Sequence, residues 1–282
     1  MRVVAPGKVV LLGEYAVLDG APAVVAAVDR GVACDVEPAP VLSIRTPGDD
    51  HFVRAALAAV DAPPATYTFT DWNPVRAASK VGLGGSAAAT VAAVVAGRLQ
   101  RGQTAAPAVV CAVADRVHRA VQGSGSGIDV AATAHGGVLR FEAGRVTPMD
   151  AVAPSLVFTG HSAQTGPRVA QYLSWTERDP FVAQSRALVA RFAADPVRVL
   201  DEAGRLLRSM AEQAGVAYWT PQIDAIVTLA AAHGGAAKPS GAGGGDIVVS
   251  LFDDPADQQR FEGAAARAGF LPIAVSIAPG AQ

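Results

Sequence analysis

Lysine, cysteine and long apolar runs are what this sequence has least of. Of 282 residues two are cysteines, Cys34 and Cys111. They lie far apart in apolar surroundings and form neither a CxxC pair nor a disulfide framework, so a reducing, cytosolic setting is expected, with both thiols as core filler. Charged residues make up 17% of the chain, against a typical quarter. The longest uncharged window, Val81 to Gly97, is too short to span a bilayer and reads as loop plus buried helix. Near the N-terminus Lys8 and Glu14 interrupt the apolar stretch, and no secretory signal is expected. With 23 Lys+Arg against 25 Asp+Glu, the net charge of −2 provides no broad basic face for nucleic acid or an anionic membrane. A phosphate ligand must therefore be held locally. Hydrophobic residues reach 51%, which excludes disorder and leaves a folded protein of one large or two ordinary domains.

The lysines are Lys8, Lys80 and Lys238, and every other basic side chain is arginine. Where the background prefers arginine, a retained lysine marks a place for a compact ammonium. All three lie in or beside glycine-rich stretches.

Around Ala5-Pro6-Gly7, Arg2 to Val17 reads as two short strands, and Val24 to Val36 as a strand pair. His51 to Val60 has helical spacing and Ala65 to Phe69 reads as a strand. Helices are expected after the glycine-rich Val81 to Ser86, as far as about Gln100, and from about Ala106 to Val121. The stretch Gly123 to Gly127 breaks the chain before Asp129, and Val138 to Phe141 pairs with Arg145 to Thr147 around Ala143-Gly144. From about residue 153 to Ala232 the pattern is mostly helical, with runs at Phe181 to Ala193, Pro196 to Ala214 and Pro221 to Ala232. A strand at Ile247 to Phe252, a helix at Pro255 to Ala268 and a strand at Ile273 to Ile277 follow. Strands and helices mix in both halves, so the fold class is α+β, with two lobes divided at 152/153.

Gly82-Leu83-Gly84-Gly85-Ser86-Ala87 stands directly before an Ala/Val-rich helix. Glycines allow close backbone approach, and a helix N-terminus favours an anion, so this is a phosphate cradle; equally, it is a tight turn with Ser86 as helix cap. The same residues match a dinucleotide fingerprint, but Gly102 to Val110 lacks the acid that a nucleotide-binding strand would carry. No Walker A sequence is present.

Two further stretches accompany it: Ala5-Pro-Gly-Lys8-Val-Val-Leu-Leu-Gly-Glu14-Tyr15-Ala-Val-Leu18, and Lys238-Pro-Ser240-Gly241-Ala242-Gly243-Gly-Gly-Asp246. In order and spacing the three resemble the motifs of the GHMP kinase superfamily, and the resemblance spans nearly the whole chain. His118-Arg-Ala-Val-Gln-Gly-Ser-Gly-Ser126-Gly127-Ile-Asp129-Val-Ala-Ala is similar to its mevalonate-pathway branch. There and at Thr159-Gly-His161-Ser162-Ala-Gln-Thr165 the similarity is to phosphomevalonate kinases first and mevalonate kinases next.

The resemblance implies a nucleotide-binding N-terminal lobe like the ribosomal S5 second domain, a ferredoxin-like C-terminal lobe, and ATP with Mg²⁺ as cofactors. The partner is a small-molecule phosphate acceptor, and the state is monomer or homodimer. Lys8 and Asp129 become the catalytic pair; Lys80, Gly82 to Ala87 and Ser240 to Gly243 the ATP site. Glu14, Tyr15, Ser126, Gly127, Arg140, Ser162, Thr165 and Arg168, with His161, are assigned to the acceptor. Family members usually read Gly-Ser-Ser where this chain has Gly85-Ser86, so Ser86 alone takes the metal-side hydroxyl role. Asp115 is the expected second Mg²⁺ ligand, ahead of His118, because Mg²⁺ prefers oxygen. A non-catalytic sensing relative and a decarboxylating relative are the alternatives.

Overall fold

A computed structural model describes residues 1–77, 80–123 and 125–282. The chain opens with one strand rather than two: β1 (Arg2–Leu12) runs antiparallel to the equally unbroken β2 (Ala23–Pro38). Pro6, which cannot donate to a ladder, sits at an irregularity where the register shifts between Pro6 and Gly7. Beside it a side chain on Gly7 would collide with the carbonyl oxygens of Arg30 and Leu83, so the punctuation residues bend the strand without ending it.

Four further strands lie along β2 and its neighbours. β4 (Ala65–Trp72) pairs with the C-terminal half of β2, and β5 (Val138–Glu142) with its start. β3 (Ser43–Arg45) extends the sheet beside β4, and β6 (Arg145–Met149) beside β5. Ala143 and Gly144, both at positive φ, close the β5–β6 hairpin as expected.

One face of this sheet carries α1 (His51–Ala59), α2 (Gly85–Gln100), α3 (Pro107–Gln122) and α4 (Ile128–His135). α2 is built of Ala, Val and Thr and is buried along most of its length, from Ala87 to Gly97. Its small side chains let it lie close to Val3, Ala5 and Cys34 of the strands and Leu57 of α1. Both cysteines are free, and burial pushes the Cys34 thiol up to about 12 and the Cys111 thiol to about 11.

The opposite face packs on the second lobe through Val9, Leu11, Val24 and Val28, which share one core with Leu156, Phe158, Leu188, Leu200 and Val249. That lobe contains β7 (Ser155–Phe158), α5 (Thr165–Ser174), α6 (Asp179–Arg191), α7 (Pro196–Ala214), α8 (Pro221–Ala232), β8 (Ala236–Pro239), β9 (Ile247–Leu251), α9 (Pro255–Arg267) and β10 (Leu271–Ile273). Its antiparallel sheet runs β10-β7-β9-β8, the β-α-β-β-α-β arrangement of a ferredoxin-like lobe. The expected strand Ile273–Ile277 ends at Ile273. After it the chain returns to the first lobe, where Ile277 bridges Val28 and the Gln282 backbone bonds Val4 in both directions. Among the described residues no helix is long and apolar enough to cross a membrane.

His135 closes α4, and burial lowers its pKa below 6.5. The unfolded chain therefore binds the extra proton first as pH falls. Stability is expected to decline as pH drops through about 6.5 and to level off below the folded value. His135→Asn should flatten that part of a urea-midpoint-against-pH profile; an unchanged slope contradicts the assignment.

Candidate active site

Lys8 lies one residue past the β1 irregularity, with its side chain on the helix-covered face. Its Nζ is 3.3 Å from Asp129 Oδ2, in the first turn of α4. The lysine is 8% exposed, whereas the Asp129 side chain keeps 36% of its surface open. The Lys8 stem lies against Gly84, where an added Cβ would stand 2.9 Å from Lys8 Cγ, and a Cβ on Gly241 would be 3.9 Å from Nζ. The Lys8 N–H also donates to the Leu83 carbonyl at 2.9 Å. Residues 8, 84, 129 and 241 thus meet around one ammonium group.

The central loop is positioned from below. Leu83 is buried in the core shared by the lobes, and Gly82 at φ +80° rests against the Asp246 carboxyl, with no room for a Cβ. Gly84, at φ +78°, caps α2, and no side chain does. Ser86 is therefore not the cap: it is the second residue of the helix, and its Oγ is 3.1 Å from His118 Nε2. The first backbone bond into α2 is Ala88 N–H to Gly84 O, so the N–H groups of Gly85, Ser86 and Ala87 point out of the helix end. α4 begins in the same way, with Gly127 at φ +85°. Two positive helix ends and the Lys8 ammonium thus border one region, a setting that attracts a polyanion.

In the third stretch glycine has another cause. The Ser240 hydroxyl accepts from Val10 N–H at 2.9 Å and donates to Val10 O at 3.0 Å, so it fastens the loop to β1 and is not turned to a ligand. The Ala242 carbonyl accepts from Tyr15 Oη at 2.7 Å. Gly243 lies under the Tyr218 ring, Gly244 under the Arg168 guanidinium and Gly245 against His161 O, with no space for a side chain at any of them. Of this group Gly241 faces Lys8.

Glu14 and Tyr15 are both 4% exposed and do not line an open acceptor pocket. The sharp turn at Tyr15, φ +63°, directs Glu14 to Lys238 as a fully buried ion pair across the lobes. Burial lowers the Lys238 pKa, opposed by the Glu14 charge. Asp115 has both oxygens on Arg119 Nε, at 2.9 and 2.8 Å, and so is not presented to a metal. Arg119 in turn holds the carbonyls of Gly125 and Ser126 and, with Asp115, crowds Gly127; this clamp sets the bend before Asp129. Ser126 Oγ accepts from Ile128 N–H at 3.4 Å. Ser124, inside the same break, lies outside the described residues.

Arg140 is not at the site. Side chains alternate along β5, and Leu139 and Phe141 pack with Ile128 of α4, so Arg140 projects from the other face and pairs with Glu142 at 2.7 Å. Arg168 donates to Gln164 O and Ala217 O, and its charge reaches Asp246 and Tyr15. Ala163 N–H donates to Asp246 Oδ1 at 3.0 Å, and the Ser162 side chain lies close enough to favour the ionised carboxylate. Burial still raises Asp246 above the usual carboxylate range, against the pull of those bonds and of Lys8 and Arg168. His161 lends its carbonyl to Asp246 N–H; its side chain and Thr165, the first residue of α5, are exposed. Lys80 is exposed, and its charge is felt at Asp49, ahead of α1.

Asp246 and His118 owe their place at the site to the fold and not to a local motif. His118 is buried, stacks on Phe52 with ring centroids 4.9 Å apart, and is held below the ordinary histidine range by burial. Its spacing along α3 was visible, but its neighbour in space was not. Among the described residues no group of three or more His, Cys, Asp or Glu can hold a metal ion by itself. The oxygen donors bordering the cradle, Ser86 Oγ and the Asp129 carboxylate, suit Mg²⁺ that arrives on a nucleotide, because such Mg²⁺ takes one or two protein oxygens and keeps waters and phosphate oxygens.

Comparison with known proteins agrees with this geometry. The family profile described as "GHMP kinases N terminal domain" matches residues 55–137, and "GHMP kinases C terminal" matches 187–270. A phosphomevalonate kinase of Streptomyces sp. strain CL190 is 27% identical, covering 97% of this chain and 96% of its own. A mevalonate kinase of Thermococcus sibiricus is 29% identical, covering 98% and 96%. The Streptococcus pneumoniae phosphomevalonate kinase, solved in complex with phosphomevalonate and AMPPNP, superposes with a TM-score of 0.86 at 17% identity, over 99% of this chain and 100% of that one. With both lobes matched in order, and with Gly84 and Gly241 from two separate glycine stretches beside Lys8, the chain belongs to the GHMP kinases.

Proposed function

We propose that the chain transfers the γ-phosphoryl group of ATP to a mevalonate-class acceptor, and that the acceptor is 5-phosphomevalonate. The observation that carries this reading is the Lys8–Asp129 pair, 3.3 Å apart at the junction of two helix N-termini. Phosphoryl transfer asks a protein for positioning and for positive charge on the developing equatorial oxygens. The N–H groups of Gly85 to Ala87 hold the polyphosphate, and the Lys8 ammonium stands between donor and acceptor. Mg²⁺, when bound with the nucleotide, neutralises phosphate charge next to Ser86. An acceptor phosphate oxygen then forms the new P–O bond as the bond from the γ-phosphorus to the bridging oxygen breaks, and ADP leaves. A phosphomonoester is already largely dianionic near neutrality, so no base is needed and Asp129 orients Lys8 and the acceptor.

The choice of a phosphorylated acceptor is supported by the segment from His161 to Thr165. Ala163 N–H is bonded to Asp246, and Ser162, Lys8 and Arg168 all lie within electrostatic reach of that carboxylate. A second reading, transfer to the mevalonate hydroxyl, is favoured by the open Asp129 carboxylate, which there would take the hydroxyl proton. A coupled ADP-release assay distinguishes them. The expected result is kcat/KM for 5-phosphomevalonate at least about a hundredfold above that for mevalonate, as an unmet charged contact implies. Turnover on mevalonate alone establishes the second reading. ATP binding without ADP release identifies a sensor, and CO₂ release from 5-diphosphomevalonate identifies the decarboxylating relative.

A further inference from the structure

The chain has a single hydroxyl, Ser86, in the first turn of α2, because Gly85 occupies the preceding position. A lone serine side chain at an exposed helix end rotates freely between three rotamers unless something holds it. Here His118 holds it: Nε2 lies 3.1 Å from Ser86 Oγ, and the imidazole is itself fixed by stacking on Phe52 and by burial to 7% exposure. Ser86 and His118 come from separate helices, α2 and α3, so the contact exists only in the folded first lobe. Among the described residues no other side chain bonds Ser86 Oγ.

The direction of this bond matters. A hydroxyl that meets a cation must turn its lone pairs toward it, so its proton has to go elsewhere. Neither acidic side chain nearby bonds Ser86 Oγ: Asp115 is taken by Arg119, and Asp129 Oδ2 pairs with Lys8. We propose that His118 is a positioning residue that accepts the Ser86 hydroxyl proton at Nε2, keeps its own proton on Nδ1, and so aims the Ser86 lone pairs into the cradle where nucleotide-borne Mg²⁺ would meet them. The device compensates for the hydroxyl missing at residue 85. It rests on the kinase reading for its purpose, but the bond itself is testable without turnover.

Two measurements test it. In ligand-free ¹⁵N-histidine-labelled protein, His118 Nε2 should show the unprotonated ring-nitrogen shift and Nδ1 the protonated one, and Ser86→Ala should move the Nε2 resonance. A protonated Nε2 overturns the proposal even if the protein proves to be an active kinase; an inactive protein with the expected tautomer overturns the kinase reading alone. The second measurement is AMPPNP affinity by calorimetry, with Mg²⁺ and with EDTA, in His118→Phe, which keeps a ring on Phe52 and removes both nitrogens. Affinity with Mg²⁺ should fall about tenfold or more while metal-free affinity changes less than about twofold, since loss of a group that orients a metal ligand costs about 10- to 100-fold. A Cβ at Gly85 meets nothing within 4 Å, and its φ is not positive, so Gly85→Ser is sterically open. Added to His118→Phe, it should recover most of the Mg²⁺-dependent loss. Equal losses with and without Mg²⁺, or no recovery with an unchanged melting temperature, would show that His118 is packing.

Discussion

Lys8→Met is expected to lower kcat on the physiological acceptor by about 10³-fold or more with the fold intact. Loss of one preorganised donor at a developing charge costs about 10²–10³, and here the lost group carries a full charge. Lys8→Arg should fail nearly as badly, because the stem is confined beside Gly84 and Gly241 and a planar guanidinium fork does not fit where an ammonium does. Asp129→Asn separates the two acceptor chemistries. On a hydroxyl acceptor it should cost about 10²–10⁴, the contribution of a general base, and far less on a phosphate acceptor that has no proton to give up. The double variant Lys8→Met/Asp129→Asn should be little worse than Lys8→Met, since paired groups act as a unit. Steady-state kinetics on both acceptors decides the matter; equal losses from Asp129→Asn on the two would refute this division of roles.

How much of this was legible in the sequence depends on where each signal lived. Lys8, Gly82 to Ser86 and Asp129 were readable because glycine before a helix and a retained lysine are local features. Long-range packing decided the rest. β1 and β2 continue through Pro6-Gly7 and past Val28 because each provides the other's ladder, a constraint that no local turn signal reports. β7 was missed because Ser155–Phe158 is four residues with no alternation, its burial set by β9 and β10 on either side. Arg140 is assigned to the acceptor as a cation for a phosphorylated substrate, yet strand alternation puts it on the other face, and that rule needs the register of β5 to be known first. The third glycine stretch is assigned to the ATP site by the resemblance. Its glycines instead give way to Tyr218, Arg168 and the His161 backbone, which come from 25 to 84 residues away by numbering and are invisible to any local reading.

The largest stability effect is expected at Lys238, the fully buried lysine. Lys238 and Glu14 are 0% and 1% exposed, and Glu14 Oε2 has no partner among the described residues, so the pair is already incompletely satisfied. Removing one member leaves an uncompensated buried charge and should cost about 3–5 kcal/mol, a large share of an ordinary stability of about 5–15 kcal/mol. The two single variants should differ in sign with pH. In Glu14→Gln the remaining lysine loses the charge that raised its pKa, so its folded value falls further below the unfolded 10.5. The unfolded chain then binds more protons, and stability rises with pH across that window. In Lys238→Met the buried carboxylate is relieved by protonation instead, so stability recovers on acidification. Glu14→Gln/Lys238→Met removes both charges and should lie within about 1–2 kcal/mol of the parent chain, because a neutral buried pair no longer carries the desolvation cost. Urea denaturation across pH for the four proteins reads all of this. Additive losses in the double variant, or parallel pH slopes in the singles, would mean that the two side chains do not share a buried charge, and that the lobes are held by their other contacts, among them the core around Leu11 and Phe158.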